Sequence, residues 1–173
     1  MNLRATIIRL GPRATAGVTW AAEHIMSSGE AATEFGGTTP ILAVRDLRAS
    51  VAYYMDKLGF KVDFLEEIAS VSRGRCALFL VQGDQGHPGS WVWIGVKDVD
   101  ALCTEYRRTG ASIRQTPTNF PWACEMQVED PDGNVLRFGS EQKTGEPFGP
   151  WLDMRGHRWV STTPGKWKDS GGD

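Results

Sequence analysis

The sequence predicts an α+β protein built from two tandem βαβββ modules. Three observations lead there. Val44-Arg45-Asp46-Leu47 recurs as Val96-Lys97-Asp98-Val99 at an offset of 52, and Gly59 is echoed by Gly110 at 51. Self-similarity at such a period signals a duplicated supersecondary unit. Within each copy a stretch of helical period gives way to runs of period two. Asp130-Pro131-Asp132-Gly133 then supplies a strong turn signal, since Pro presets one turn residue and Gly permits positive φ.

The elements follow in order. Each copy opens with a short apolar strand and an Asp, Asp46 or Asp98, whose carboxylate can accept a free backbone N–H as an N-cap. Helices follow, with Leu47, Val51, Tyr54 and Leu58 on one stripe and Val99, Leu102 and Tyr106 on the other. Gly59 and Gly110 suit the left-handed position that ends a helix. Three strand-like runs come next in each copy, about 60–66, 68–73 and 75–82, then 112–117, 123–129 and 134–139. Gly83 to Gly89, with Pro88 inside, reads as the link between modules 38–82 and 90–142.

Outside 38–142 the composition changes. Residues 1–37 carry Arg4, Arg9 and Arg13 with no acid before Glu23, which is faintly like a transit peptide; the expectation is a disordered extension. Residues 143–173 are rich in Gly, Pro, Lys and Trp. An ordered strap over 147–159 and a disordered tail over 161–173 are expected.

The 173 residues carry 19 Lys plus Arg against 21 Asp plus Glu, which lacks the basic excess that nucleic acid demands. No apolar run approaches the ~20 residues needed to span a bilayer, so no membrane partner is expected. Three cysteines, Cys76, Cys103 and Cys124, with no C-x-x-C pair argue against a zinc ribbon or a disulfide framework and point to a cytoplasmic protein. His87 and His157 fall in the link and the tail, Cys103 has no evident activator, and Ser70 and Ser72 lack a nucleophile-elbow context. No catalytic residue is assigned.

A family resemblance rests on Val44 to Leu47, Tyr53-Tyr54, Leu58-Gly59-Phe60, Val96 to Ala101, and the run Asp130 to Gly139, Asp-Pro-Asp-Gly-Asn-Val-Leu-Arg-Phe-Gly. Over about 39–141 the chain resembles the glyoxalase/bleomycin-resistance/dioxygenase, or vicinal oxygen chelate, superfamily, in its bleomycin-resistance-like branch. The resemblance implies a curved mixed sheet with a concave cleft and helices on the convex side. In the family's enzymes a divalent ion is held by His, Glu or Gln opening each module's first strand and on each last strand. Seven residues before Asp46 and Asp98 stand Thr39 and Trp91; four beyond Gly133 stands Arg137, with Leu78 its approximate counterpart. Indole offers no lone pair to a metal and guanidinium is a permanent cation, so neither metal nor cofactor is expected.

Strand parity fills the cleft instead. Val92, Ile94 and Val96 form an apolar set for the helices, leaving Trp91, Trp93 and Gly95 in the cavity; Leu42 and Val44 leave Thr39, Ile41 and Ala43; Leu136 and Phe138 leave Val135, Arg137 and Gly139. Cys124, Met126 and Val128 suit the core, with Glu125 and Gln127 opposite. The candidate ligand-binding set is Thr39, Ile41, Leu78, Trp91, Trp93, Phe120, Trp122, Glu125 and Arg137. Each has a plainer reading too: the indoles at 91 and 93 as an aromatic subunit interface, Phe120 and Trp122 as cover for a core edge, and Arg137 as the structural partner of Glu125, which is favoured because an unpaired buried guanidinium is costly.

The leading functional reading is a metal-free small-molecule binder of the bleomycin-resistance type, a homodimer that sequesters a planar or aromatic, antibiotic-like ligand. The alternatives are a metal-dependent glyoxalase-like lyase, isomerase or dioxygenase with a non-standard site, and a protein-interaction module. Charge counts against bleomycin itself, which is cationic: residues 37–142 hold 14 acids against 11 bases.

Overall fold

The structure, a computed structural model, describes residues 37–163 and 166–170. The chain divides after Gly37. The expectation for 1–36 lies outside the described residues.

The first module runs β1 (Ile41–Val44), α1 (Leu47–Asp56), β2 (Lys61–Leu65), β3 (Ile68–Arg73) and β4 (Cys76–Gln82). In the second, β5 (Trp91–Gly95), α2 (Val99–Thr109), β6 (Ile113–Asn119), β7 (Cys124–Glu129) and β8 (Val135–Ser140) follow in the same order. Each module forms its own four-stranded mixed sheet, β1-β4-β3-β2 and β5-β8-β7-β6. The first strand lies parallel to the last and the others are antiparallel. Joining parallel strands requires a crossover, and the helix after the opening strand starts it.

Both N-caps form as their sequences require. Asp46 accepts the N–H of Ala49 at 3.0 Å and Asp98 that of Ala101 at 2.9 Å. Gly110 ends α2 in the left-handed region at φ 74°, where a Cβ would be strained. The buried stripe of α2, Val99, Leu102, Cys103 and Tyr106, has the i, i+3, i+4, i+7 spacing of one helix face. These stripes meet Leu42 and Val44, Leu78 and Leu80, Met126 and Val128, and Leu136 and Phe138 in one core continuous across both modules.

Polar clasps join the modules, each reaching from a hairpin turn to the other module. Between β7 and β8, Asp132 accepts Arg45 N–H and Nε at 2.9 Å and Ser50 Oγ at 2.7 Å. Burial raises the Asp132 carboxyl, but the bonds from Ser50 and Arg45 outweigh it and hold the group below its ordinary range. Tyr54 donates its hydroxyl to Asp130, and Asn134, fully buried, donates to the Ala43 carbonyl. In the reciprocal clasp Arg73, at the β3–β4 turn, forks onto Glu105 of α2 at 2.9 and 2.8 Å.

Two expectations need correction. Leu78 is fully buried on the helix side of β4, so it belongs to the core and not to the face turned away from the helices. Strands also continue beyond residue 160: β9 (Trp151–Leu152), β10 (Arg158–Thr163) and β11 (Lys166–Asp169) form a third, antiparallel sheet in order β11-β10-β9. Within the stretch expected to be a disordered tail, the described residues 161–163 and 166–169 lie in strands. All three cysteines are free thiols, and no helix among the described residues is long and apolar enough to cross a membrane.

Candidate functional site

The face of the second sheet turned away from the helices is laid out by its register. Trp93 pairs with Arg137, Arg137 with Gln127, and Gln127 with Gln115; the adjacent row is Gly95, Gly139, Glu125 and Thr118. Period-two alternation places these positions on one face, and an irregularity in β6 between Gln115 and Thr118 keeps both of those there.

The Trp93 indole lies flat along that face because two neighbours have no side chain. A Cβ on Gly139 would stand 2.7 Å from Trp93 Cζ2 and 2.9 Å from Nε1, and one on Gly95 would stand 3.4 Å from Cζ3. The indole N–H donates to Glu125 Oε1 at 2.9 Å, which fixes the ring in its plane. Its outer face remains open, and Trp93 is 55% exposed.

Glu125 organises the site. Its residue is 2% exposed, a costly burial for a carboxylate unless donors surround it. Four do: Trp93 and Trp122 each donate an indole N–H to Oε1 at 2.9 Å, while Arg137 Nε and Nη2 reach Oε2 at 3.1 and 2.5 Å. Among its expected alternatives Arg137 thus takes the structural one, as the partner of Glu125.

Beyond β8 the chain turns back across this face. Asn119, 5% exposed, pins the return by donating to the carbonyls of Lys143 and Glu146 and accepting the Lys143 N–H. Gln115 donates to the Pro150 carbonyl at 2.7 Å, Gln127 to Leu152 at 2.9 Å, and Arg114 to Asp153. Trp151 thereby covers Trp91, with ring centroids 6.0 Å apart. The guanidinium groups of Arg114 and Arg137 each stand 5.8 Å from the Trp91 ring, near enough for cation–π attraction.

Of the candidate residues, Trp91, Trp93, Trp122, Glu125 and Arg137 come together. Trp91 is half-buried under the returning chain, so it is less open than parity alone suggests. Phe120 is 1% exposed and stacks against Trp122 at 5.1 Å, so it supports an exposed ring and is itself covered. Thr39 and Ile41 are exposed on the first module, and Leu78 is in the core. Sequence reasoning placed Trp151 and Trp159 in the expected strap but missed Arg114 and Trp167. The high tryptophan content of the C-terminal segment was the available signal for the latter.

A model of the glyoxalase/bleomycin resistance protein/dioxygenase superfamily matches residues 23–138. The chain belongs to that superfamily. A solved relative within it is the bleomycin-binding protein of bleomycin-producing Streptomyces verticillus, complexed with copper(II)-bleomycin. It is 31% identical, with a TM-score of 0.56, and the match covers 64% of this chain and 100% of that one. TnmS3, an antibiotic-binding protein from Streptomyces sp. CB03234, shares the fold at 22% identity and TM-score 0.56, covering 64% and 100%. TioX from Micromonospora sp. ML1 does so at 21% and 0.55, covering 61% and 99%. No curated protein matches the chain.

The superfamily's enzymes use a divalent ion, and the donor set here does not fit one. The internal offset maps Trp93 onto Ile41; Arg137 pairs with Trp93 and Phe79 with Ile41, so Phe79, not Leu78, is the structural counterpart of Arg137. Thr39, Phe79, Trp91 and Arg137 present one hydroxyl, two aromatic rings and a cation. The oxygens of the nearby carboxylate, Glu125, are already taken by four donors. Among the described residues no three His, Cys, Asp or Glu side chains group as metal ligands.

Proposed function

We propose that this protein binds a planar aromatic small molecule on the open face of its second sheet and acts by sequestering it, without a metal. The observation that carries the reading is Trp93, its inner face seated on Gly139 and Gly95, its N–H held by Glu125, and its outer face bare. An indole held in this way is preorganised, so little rotamer entropy is lost when a ring stacks on it. Stacking is worth about 0.5–1.5 kcal/mol beyond area burial. Trp122, 49% exposed and seated on Phe120, offers a second such surface. Kinship with a bleomycin-binding protein supports an antibiotic-like ligand and a role in resistance, and the free thiols agree with a cytoplasmic setting.

The binding form is a homodimer. β1 and β5 are edge strands of their sheets, and Val92, Ile94 and Val96, turned toward the helices, stay only partly covered. An open edge beside apolar side chains invites a second copy.

A tryptophan-quenching screen of planar antibiotics and aromatic acids tests the reading. Trp93→Ala should weaken a hit at least tenfold while the protein stays folded, its melting temperature falling only by the few degrees that one lost donor to Glu125 costs. A variant that binds as the wild type does, or that unfolds while the wild type binds nothing aromatic, would make the indole structural.

A further inference from the structure

We propose that β9–β11 build a four-tryptophan chamber above Arg137 that selects a planar aromatic ligand carrying an anionic or hydrogen-bond-accepting group. The proposal rests on the ligand-binding reading above and narrows its ligand. Three of its four tryptophans, Trp151, Trp159 and Trp167, lie beyond residue 138, where the family match ends.

The chamber is an open-sided cleft of about 610 Å³ lined by Trp122, Arg137, Trp151, Trp159 and Trp167. That volume suits a small molecule of drug-like size. Trp151 and Trp159 stand directly opposite one another across β9 and β10. Trp159 is oriented by its N–H, which donates to Asp153 Oδ2 at 3.1 Å, and Trp167 meets Trp122 edge to face at 5.6 Å. The segment is tied to the sheet by Gln115, Gln127 and Arg114 at its entry, around residues 150–153. Exposures of 49% for Trp122 and 37% for Trp167 leave the chamber a mouth to solvent.

Charge decides what enters. Indole faces attract cations as readily as planar rings, so four tryptophans alone would not discriminate. Arg137 does. Its Nε and Nη2 are spent on Glu125, but Nη1 has no hydrogen bond among the described residues, and the side chain is 22% exposed. The balancing carboxylate is hidden, with a side chain only 3% exposed. The chamber therefore meets the positive half of the ion pair and not the negative half. A planar cation would be repelled at this floor, whereas a carboxylate, sulfonate or phenolate would gain a charge-assisted bond.

Calorimetric titration of the full chain with anthraquinone-2-sulfonate, a planar anion, and proflavine, a planar cation, tests this. The wild type should bind the sulfonate at least tenfold more tightly than proflavine. Trp167→Ala, on a terminal edge strand, should weaken the sulfonate at least fivefold without lowering the melting temperature, and Trp159→Leu should do so independently. Equal or tighter binding of proflavine overturns the charge selection. If both chamber variants bind the sulfonate as the wild type does while Trp93→Ala weakens it, the chamber is refuted and the Trp93 platform stands. If the wild type binds neither probe, the chamber is refuted, and the quenching screen with Trp93→Ala decides the platform separately.

Discussion

Replacing Gly139 by alanine isolates the seat of Trp93. Gly139 is not among the positive-φ glycines, so its backbone accepts a side chain and the only obstacle is the indole. The new Cβ would stand 2.7 Å from Cζ2, 2.9 Å from Nε1 and 3.0 Å from Cε2. Carbon atoms in contact rest about 3.5–4.0 Å apart, so the ring must lift by roughly 1 Å. Lifting stretches the 2.9 Å bond from Nε1 to Glu125 past hydrogen-bonding range. Glu125 then keeps three donors of four, a loss of about 1–2 kcal/mol, or roughly 3–8 °C in melting temperature. Gly95→Ala is the internal control, since its Cβ would meet the same ring at 3.4 and 3.5 Å, ordinary contact distances. Both variants share the stabilisation that comes from restricting the unfolded chain, about 0.4–1 kcal/mol, so their difference reports the seat alone. Thermal melts followed by circular dichroism, with calorimetric titration of a hit from the quenching screen, should find G139A less stable and at least fivefold weaker in binding, and G95A close to wild type. Indistinguishable variants would refute the argument that the glycines are there for the indole.

Elemental analysis of protein purified without chelator should find no stoichiometric Ni, Zn, Mn or Fe, because Thr39, Phe79, Trp91 and Arg137 stand at the family's ligand positions; near one ion per subunit would revive the enzyme reading. Light scattering should give about twice the chain mass of 19.1 kDa at micromolar concentration, and a monomer would count against the dimer. The Asp153 carboxyl is held below its ordinary value of 3.8, chiefly by the Trp159 N–H, with burial opposing and the backbone N–H groups of His157 and Arg155 adding to it. Its folded pKa is thus the lower one, so its contribution is complete above the unfolded value and is lost as pH falls through the folded value. Fluorescence of the C-terminal tryptophans should be flat from about pH 7 to 5 and change only in the acid range below; a transition centred above about pH 5 would contradict that bonding.

The duplication was legible because each copy repeats local chemistry that needs no tertiary context. Asp46 and Asp98 are caps in any helix that begins there, and Gly110 ends one by its own freedom at positive φ. Parity was legible on β7 and β8, where polar and apolar residues alternate, and on β5, where indoles alternate with aliphatic side chains, and it put Trp93, Glu125 and Arg137 on one face. It failed at Leu78 for a countable reason. Two residues, Gly74 and Arg75, join β3 to β4, whereas five, Asp130 to Asn134, join β7 to β8, so counting across the copies slips. A slip of one residue exchanges the faces of a strand. The C-terminal sheet was illegible past residue 160 because its strands are short and mostly polar and show no sustained apolar alternation, although each pairs with a near neighbour in the chain. Phe120 misled because a loop aromatic and the support of a loop aromatic look alike in a sequence.

The reciprocal clasps bear on how the chain acquires its structure. A repeat protein of independent units could fold one unit at a time. Here the first helix finds the acceptor for its Tyr54 hydroxyl at Asp130, and Asn134 of the second copy donates to a carbonyl of the first strand. Either half alone would expose the apolar surface of a shared core and leave these groups to water. The copies are thus bound into one cooperative transition despite their common origin in sequence. Cutting the backbone within 83–89 should yield two fragments that remain unstructured apart and regain native circular dichroism only when mixed.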